Sequence, residues 1–229
     1  MNEQCSSQVN FAPPVNEPVQ EQARFTALWL RVMPGEYATA TAAYSRLSEL
    51  YGEPQRHYHT LNHIRHCLRE FDRAAALMAD PNMVEMALWF HDAIYQPGAR
   101  DNERRSADLF RQWTDGRLNP AVQQRVDDLI MATTHREPPW QDDAGFVVDI
   151  DLSSFGLPWE ACERDGRLIR AEFTGVADDQ YYSGHLRFLQ ALQNRPTFFN
   201  TEFFQQRYES VARENLTRII TDLHARGYR

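Results

Sequence analysis

The strongest constraint on the fold is the helical spacing of apolar residues along nearly the whole chain. In the clearest example, apolar residues recur at alternating intervals of three and four positions: Leu61, Ile64, Leu68, Phe71, Ala75 and Met78. Residues at those intervals share one face of an α-helix, and the alternation typical of β-strands is scarce in this chain. With 42% hydrophobic residues in a length of 229, the chain can also bury a substantial core. These features predict an all-α bundle.

Prolines, glycines and capping residues divide this pattern into eight or nine helices. The predicted helical segments cover approximately residues 19–32, 37–51, 61–78, 83–95, 101–113, 120–134, 158–173, 178–192 and 201–226. The Pro138-Pro139 pair is expected to end the sixth of them. Residues 146–155 suit a strand as well as a short helix, because they contain Val and Ile. We expect residues 1–17, which are polar and proline-containing, to form a flexible arm, and residues 18–229 to form one domain.

Charge and composition narrow the expected partners. The net charge of −8 argues against a polynucleotide partner. The chain has no apolar run long enough for a membrane span, and its first ten residues do not form a secretory signal, so we expect a cytoplasmic protein. Three isolated cysteines predict neither a disulfide framework nor a thiolate zinc site. Assembly into a homodimer is left open.

Histidines are concentrated at one place in the sequence. Four of the eight fall within residues 57–66. On the helix predicted to begin there, His59, His63 and His66 are separated by four and three positions, so they share one face. Side chains placed in this way can converge on one point.

A histidine and an aspartate, His91 and Asp92, directly follow the apolar residues 87–90. The aromatic residues of that run should anchor their helix in the core, so the imidazole and the carboxylate are expected at the edge of an apolar wall. An unpaired carboxylate is costly to bury, and coordination of a cation removes that cost. A bound metal ion is the simplest explanation.

Two later features supply similar groups. Asp149 and Asp151 stand in an otherwise apolar stretch, and His135 directly follows a predicted helix. Imidazole nitrogen and carboxylate oxygen together suit Mn, Fe, Co, Ni or Zn better than they suit Mg or Ca, although Mg is compatible. The sequence therefore predicts a site for a divalent transition metal.

The order of these features on a helical scaffold resembles the HD superfamily of metal-dependent phosphohydrolases. The phrases similar to a bacterial branch of that superfamily are YHTLNHI (58–64), WFHDAIY (89–95), NERRSA (102–107), ATTH (132–135), DIDLSSFG (149–156) and ESVARENL (209–216). The resemblance covers about residues 25–229. It implies an HD-domain-like helical bundle in which a metal-activated water hydrolyses a phosphoester.

The resemblance also implies which residues do the chemistry. The implied metal ligands are His63, His91, Asp92 and Asp151. Two alternatives stay open, His59 in place of His63 and Asp149 in place of Asp151.

The catalytic candidates are Asp92, Glu103, Arg104 and His135. Asp92 would hold the cation and orient the water, Glu103 would act as a general base, and Arg104 would neutralise phosphate charge. Of the residues between Asp92 and Asp151, His135 and Glu103 are those that could serve a second ion.

The leading hypothesis is a hydrolase of a small phosphorylated metabolite, most simply a nucleotide. One alternative is an HD-type di-iron oxygenase, which needs more ligands than the chain clearly offers. Another is a non-catalytic module that binds a metal or a nucleotide without turnover.

Overall fold

The fold was analysed in a computed structural model that describes residues 17–136 and 142–229, and within these ranges all regular structure is helical. The helices are α1 (Glu17–Val32), α2 (Tyr37–Tyr51), α3 (Leu61–Ala74), α4 (Pro81–Phe90), α5 (Asn102–Thr114), α6 (Pro120–Ala132), α7 (Asp142–Leu152), α8 (Trp159–Glu172), α9 (Asp178–Gln193) and α10 (Glu202–Ala225). Short 3₁₀ turns follow α3 (Ala75–Leu77) and α7 (Ser153–Gly156). The predicted all-α class is confirmed, with ten α-helices in the described residues rather than eight or nine.

The additional helix is α7, which covers most of the segment that also suited a strand. Eight of its eleven residues are buried, so apolar residues surround the helix instead of forming one stripe. A short segment that is apolar on all sides has no readable period, which is why the sequence left it ambiguous. The predicted arm lies outside the described residues apart from Glu17, at which α1 begins, and the Pro138-Pro139 pair also lies outside them.

Helix α4 lies at the centre of the bundle. Eight of its ten residues are buried, and it packs against α1, α3, α5, α6 and α7. Asp80 caps its N-terminus by accepting a hydrogen bond from the backbone N–H of Met83.

No helix among the described residues is both long enough and apolar enough to cross a bilayer.

The C-terminal end of α4 differs from the prediction, because the helix ends at Phe90 and not near Tyr95. Just beyond this end, the buried guanidinium of Arg56 donates to the carbonyl oxygens of Asp92 at 2.7 Å and Ala93 at 2.8 Å. Because Arg56 satisfies these two carbonyl groups, they do not need hydrogen bonds within a helix, and the chain can turn here. The turn places His91 and Asp92 at the end of a rigid, buried helix.

The C-terminal end of α7 is tied to α10. Asp149 accepts hydrogen bonds from the backbone N–H groups of Asn200 and Thr201, both at 2.7 Å. Asn215 donates to the carbonyl oxygens of Phe155 and Leu157, both at 2.8 Å. These contacts fix the direction of the chain around Asp151.

Candidate metal centre

Four side chains from three helices meet at one point. His63 comes from the first turn of α3, His91 and Asp92 directly follow α4, and Asp151 lies near the end of α7. His63 Nε2 lies 3.2 Å from His91 Nε2, 3.1 Å from Asp151 Oδ1 and 3.6 Å from Asp92 Oδ2. His91 Nε2 lies 3.0 Å from Asp92 Oδ2 and 3.4 Å from Asp151 Oδ1. The structure therefore brings together the four residues implied as ligands.

These separations have the size expected of donors around one ion. Metal–ligand bonds of about 2.1 Å place neighbouring donors about 3.0 Å apart in an octahedral site and about 3.4 Å apart in a tetrahedral site. His91 is oriented for this role, because its Nδ1 lies 2.9 Å from the carbonyl oxygen of Leu88, to which it must donate, so Nε2 is the ring nitrogen that an ion could bind in place of a proton. The cluster could therefore hold a metal ion.

The charges around His91 favour a cation. Burial alone would lower the pKa of the His91 imidazole, but the neighbouring carboxylates of Asp92 and Asp151 raise it well above its ordinary value. Burial would likewise raise the pKa of Asp151, but hydrogen bonds with His135, His63 and His91 hold it well below the usual range. The carboxylate thus stays ionised and supplies negative charge to the centre.

Cys67 is a member of the cluster that the sequence reasoning missed, since it was interpreted as a small apolar residue. It follows His63 by one helical turn, and its Sγ lies 3.6 Å from His63 Nε2. One donor atom from each of His63, Cys67, His91 and Asp151 lies within 4.8 Å of the others. Burial and the charges of Asp151 and Asp92 raise the pKa of the Cys67 thiol well above its ordinary value. The four-residue spacing from His63 was the available sequence signal.

His135 reaches the same centre through Asp151. Its Nε2 lies 2.9 Å from Asp151 Oδ2, the carboxylate oxygen that faces away from His63. Its Nδ1 is buried and has no hydrogen-bond partner among the described residues. Its backbone has φ of 54°, in the left-handed region that a residue with a side chain rarely adopts. His135 is thus held in a strained position, with one ring nitrogen that bonds to nothing in residues 17–136 and 142–229.

His59 was the alternative to His63, and the structure gives it a different contact. Its Nδ1 lies 2.6 Å from Glu172 Oε2, and its ring stacks on Tyr95 at 3.9 Å between ring centroids. Glu172 Oε1 also accepts the backbone N–H groups of His57, Tyr58 and His59 at 2.8, 2.8 and 2.9 Å. Glu172 therefore fixes the segment before α3, a role for which its sequence carries no local signal.

Asp149 was the alternative to Asp151, and its contacts are structural. In addition to the two backbone groups at the start of α10, it accepts hydrogen bonds from the side chains of Asn200 and Thr201. Its carboxylate is thus fully engaged two residues before Asp151, which points to the centre.

Glu103 and Arg104, both in the first turn of α5, have different surroundings. Burial and the charge of Asp92 raise the pKa of the partly buried Glu103, so these two carboxylates lie within each other's field. Arg104 is exposed, and its guanidinium pairs with Asp127 at 3.1 Å. The charge of Asp92 thus acts on Glu103, whereas Arg104 is engaged in an ion pair between α5 and α6.

A cavity of about 430 Å³ extends from His63 between α3 and α8. The basic residues of its lining include Arg65, Arg69 and Arg164. Arg164 pairs with Asp165 at 3.0 Å, whereas Arg69 has no ion pair with any residue in the described part of the chain. A space with excess positive charge therefore adjoins the negatively charged cluster.

Comparison of the chain with protein-family models, with curated proteins and with solved structures finds no match.

Proposed function

We propose that this protein is a metal-dependent phosphohydrolase of the HD type that acts on a small phosphorylated metabolite, most simply a nucleotide, in the cytoplasm. The observation that carries the proposal is the meeting of two imidazole nitrogens with two carboxylate oxygens, in which each nitrogen lies 3.0 to 3.6 Å from both oxygens. Nitrogen and oxygen donors in this mixture favour Mn, Fe, Co, Ni or Zn. The buried free thiols of Cys67 and Cys162 suit the reducing cytoplasm.

His63, His91, Asp92 and Asp151 would hold the ion. A divalent ion in this position supplies an activated water at neutral pH and neutralises charge on a phosphate oxygen. His135 would exchange a proton through Nδ1, which has no hydrogen-bond partner among the described residues, while its Nε2 contacts Asp151. Glu103 is the second candidate base, because burial and the charge of Asp92 raise its pKa above that of an ordinary carboxylate.

The cavity beside His63 supports an anionic substrate. Arg69, which has no ion pair with any described residue, offers a charge-assisted contact to a phosphate group. The net charge of −8 disfavours long polyanions, so a small phosphorylated molecule is the better fit.

The test is elemental analysis of the purified protein followed by a phosphate-release screen with the metal so identified. We expect near-stoichiometric metal in the wild type, loss of the metal in His91→Ala, and phosphate release from at least one nucleotide in a panel. His224→Ala is the matched control, since His224 is exposed in the last turn of α10.

Two results would count against the proposal. Absence of bound metal in the wild type after supplementation with Mn, Co and Zn would refute the metal centre. Verified metal without phosphate release across the panel would refute the hydrolase and favour the non-catalytic module.

A further inference from the structure

A second cavity, separate from the metal centre, lies among α8, α9 and α10. Its volume is about 530 Å³, within the range of small-molecule sites, and none of the metal-centre donors lines it. Its wall combines aromatic rings with arginine side chains. Three of its lining residues have features that packing within the protein does not explain.

The first is Arg218. Its guanidinium carbon lies 3.8 Å from the ring centroid of Trp159, so the two groups stack. Arg218 has no ion pair with a described residue, whereas Arg226, on the same wall, pairs with Asp222 at 3.5 Å. The stack holds a cationic group in one orientation and leaves its charge for another partner.

The second is Gly166, which lies in the middle of α8. Glycine in a helix interior costs about 1 kcal/mol relative to alanine. Here neither the backbone nor a neighbour requires it, because its φ is not positive and an added Cβ would meet nothing within 4 Å. Glycine at this position keeps the cavity wall free of a side chain.

The third is His185. Its ring stacks on Tyr181 at 5.5 Å between centroids, and it has no hydrogen-bond partner among the described residues. Burial lowers the pKa of His185 to about 4, so the ring is neutral at pH 7. A neutral imidazole offers one donor and one acceptor to a molecule in the cavity.

From these three features we propose that the cavity binds a planar aromatic molecule that carries an anionic group. Arg218 pairs with the anion, the bare backbone at Gly166 leaves room for the ring, and His185 hydrogen-bonds to a polar atom of the ligand. The geometry makes this a second ligand site, independent of the proposed hydrolase centre.

The test uses 8-anilinonaphthalene-1-sulfonate, whose planar naphthalene ring carries a sulfonate group, as a fluorescent probe titrated against the folded protein. We expect one saturable site in the wild type. Arg218→Gln should weaken binding about tenfold through loss of the charge-assisted contact, and Gly166→Leu should weaken it at least as much by filling the space.

Matched controls are available on the helices that form the cavity. Arg207 also stacks on an aromatic ring, that of Phe203 at 4.8 Å, and Gly184 also lies inside a helix, but neither lines the cavity. Arg207→Gln and Gly184→Leu should therefore leave probe binding within about twofold of the wild type. The neutral analogue N-phenyl-1-naphthylamine should bind more weakly than the anionic probe, and Arg218→Gln should not change its binding.

The proposal is overturned if Arg218→Gln binds the probe as tightly as the wild type, or if the control variants weaken binding equally. Thermal melting of every variant identifies any that is unfolded, and Arg218→Gln decides the outcome if Gly166→Leu does not fold. His91→Ala should bind the probe like the wild type, which separates this site from the metal centre.

Discussion

At the scale of single residues, two glycines of this chain have opposite roles. Gly156 lies where the 3₁₀ turn after α7 meets α10, and a Cβ there would lie 2.5 Å from Tyr208 Cβ. Gly166 faces open space. Glycine is therefore required for close packing at Gly156 and is not required for packing at Gly166.

Gly156→Ala should lower the free energy of unfolding by about 1–3 kcal/mol, because the backbone or Tyr208 must shift to relieve the overlap. Gly166→Ala, the matched control, should raise it by up to about 1 kcal/mol through helix propensity. Urea denaturation of the two variants measures both. Equal effects of the same sign would contradict this account of Gly156.

At the scale of elements, the site depends on how α8 holds the segment before α3. Glu172, at the end of α8, is buried and accepts three backbone N–H groups and the His59 imidazole. Arg56 has a similar structural role after the end of α4, where it donates hydrogen bonds to two backbone carbonyl groups. Glu172 and Arg56 thus hold the segments next to His63 and His91, and neither is hydrogen-bonded to these two histidines.

Glu172→Gln should destabilise the protein in a pH-dependent way. Burial opposes ionisation of Glu172. The hydrogen bond from His59, the charge of His59 and the hydrogen bonds from backbone N–H groups outweigh burial and lower the pKa of Glu172 to about 2. Its contribution, about 3 kcal/mol at most, is complete above its ordinary pKa near 4.5 and is lost as the pH falls toward 2.

The measurement is the difference in unfolding free energy between wild type and Glu172→Gln from pH 7 to pH 3. That difference should stay constant from pH 7 to about 5 apart from any contribution of His59, and should shrink below about 4.5. Glu163→Gln, an exposed change on the same helix, should cost less than about 0.5 kcal/mol at every pH. A difference that persists unchanged at pH 3 would contradict the assignment.

At the scale of the whole molecule, the candidate metal centre links parts of the chain that are far apart in sequence. His63 and Asp151 are separated by 88 positions, and His63 and His91 by 28. A ligand that binds only the folded chain stabilises it by an amount that grows with the logarithm of the ligand concentration relative to Kd. Metal in this centre should therefore stabilise the entire bundle.

Removal of the metal by a chelator should lower the melting temperature of the wild type. At a metal concentration of about 100 times Kd the stabilisation is about 2.7 kcal/mol, which corresponds to about 5–10 °C for a chain of this size. Differential scanning calorimetry with and without the metal measures the shift. Asp151→Asn should show little shift, whereas Asp128→Asn, an exposed change on α6, should show the shift of the wild type.

The helical class of the fold could be predicted from the sequence itself, and so could the presence of histidines and aspartates that could hold a metal ion. The apolar period that predicted α3 depends on residues within a few positions of one another, and so does the shared face of His63 and Cys67. The ends of the helices were harder to predict, because residues distant in sequence contact them. An example is Arg56, which binds the backbone just after α4 ends at Phe90.

The choice between Asp149 and Asp151 shows what local pattern leaves open. Both are carboxylates in the same apolar stretch. Asp149 is hydrogen-bonded to the start of α10, whereas Asp151 contacts His63 in the centre, and this difference depends on where α10 packs. The same holds for Arg104, whose partner Asp127 lies on another helix. Local spacing determined the helices and the types of donor that they carry, whereas packing between distant helices decided which donors meet, because the distances between side chains depend on contacts that no short segment contains.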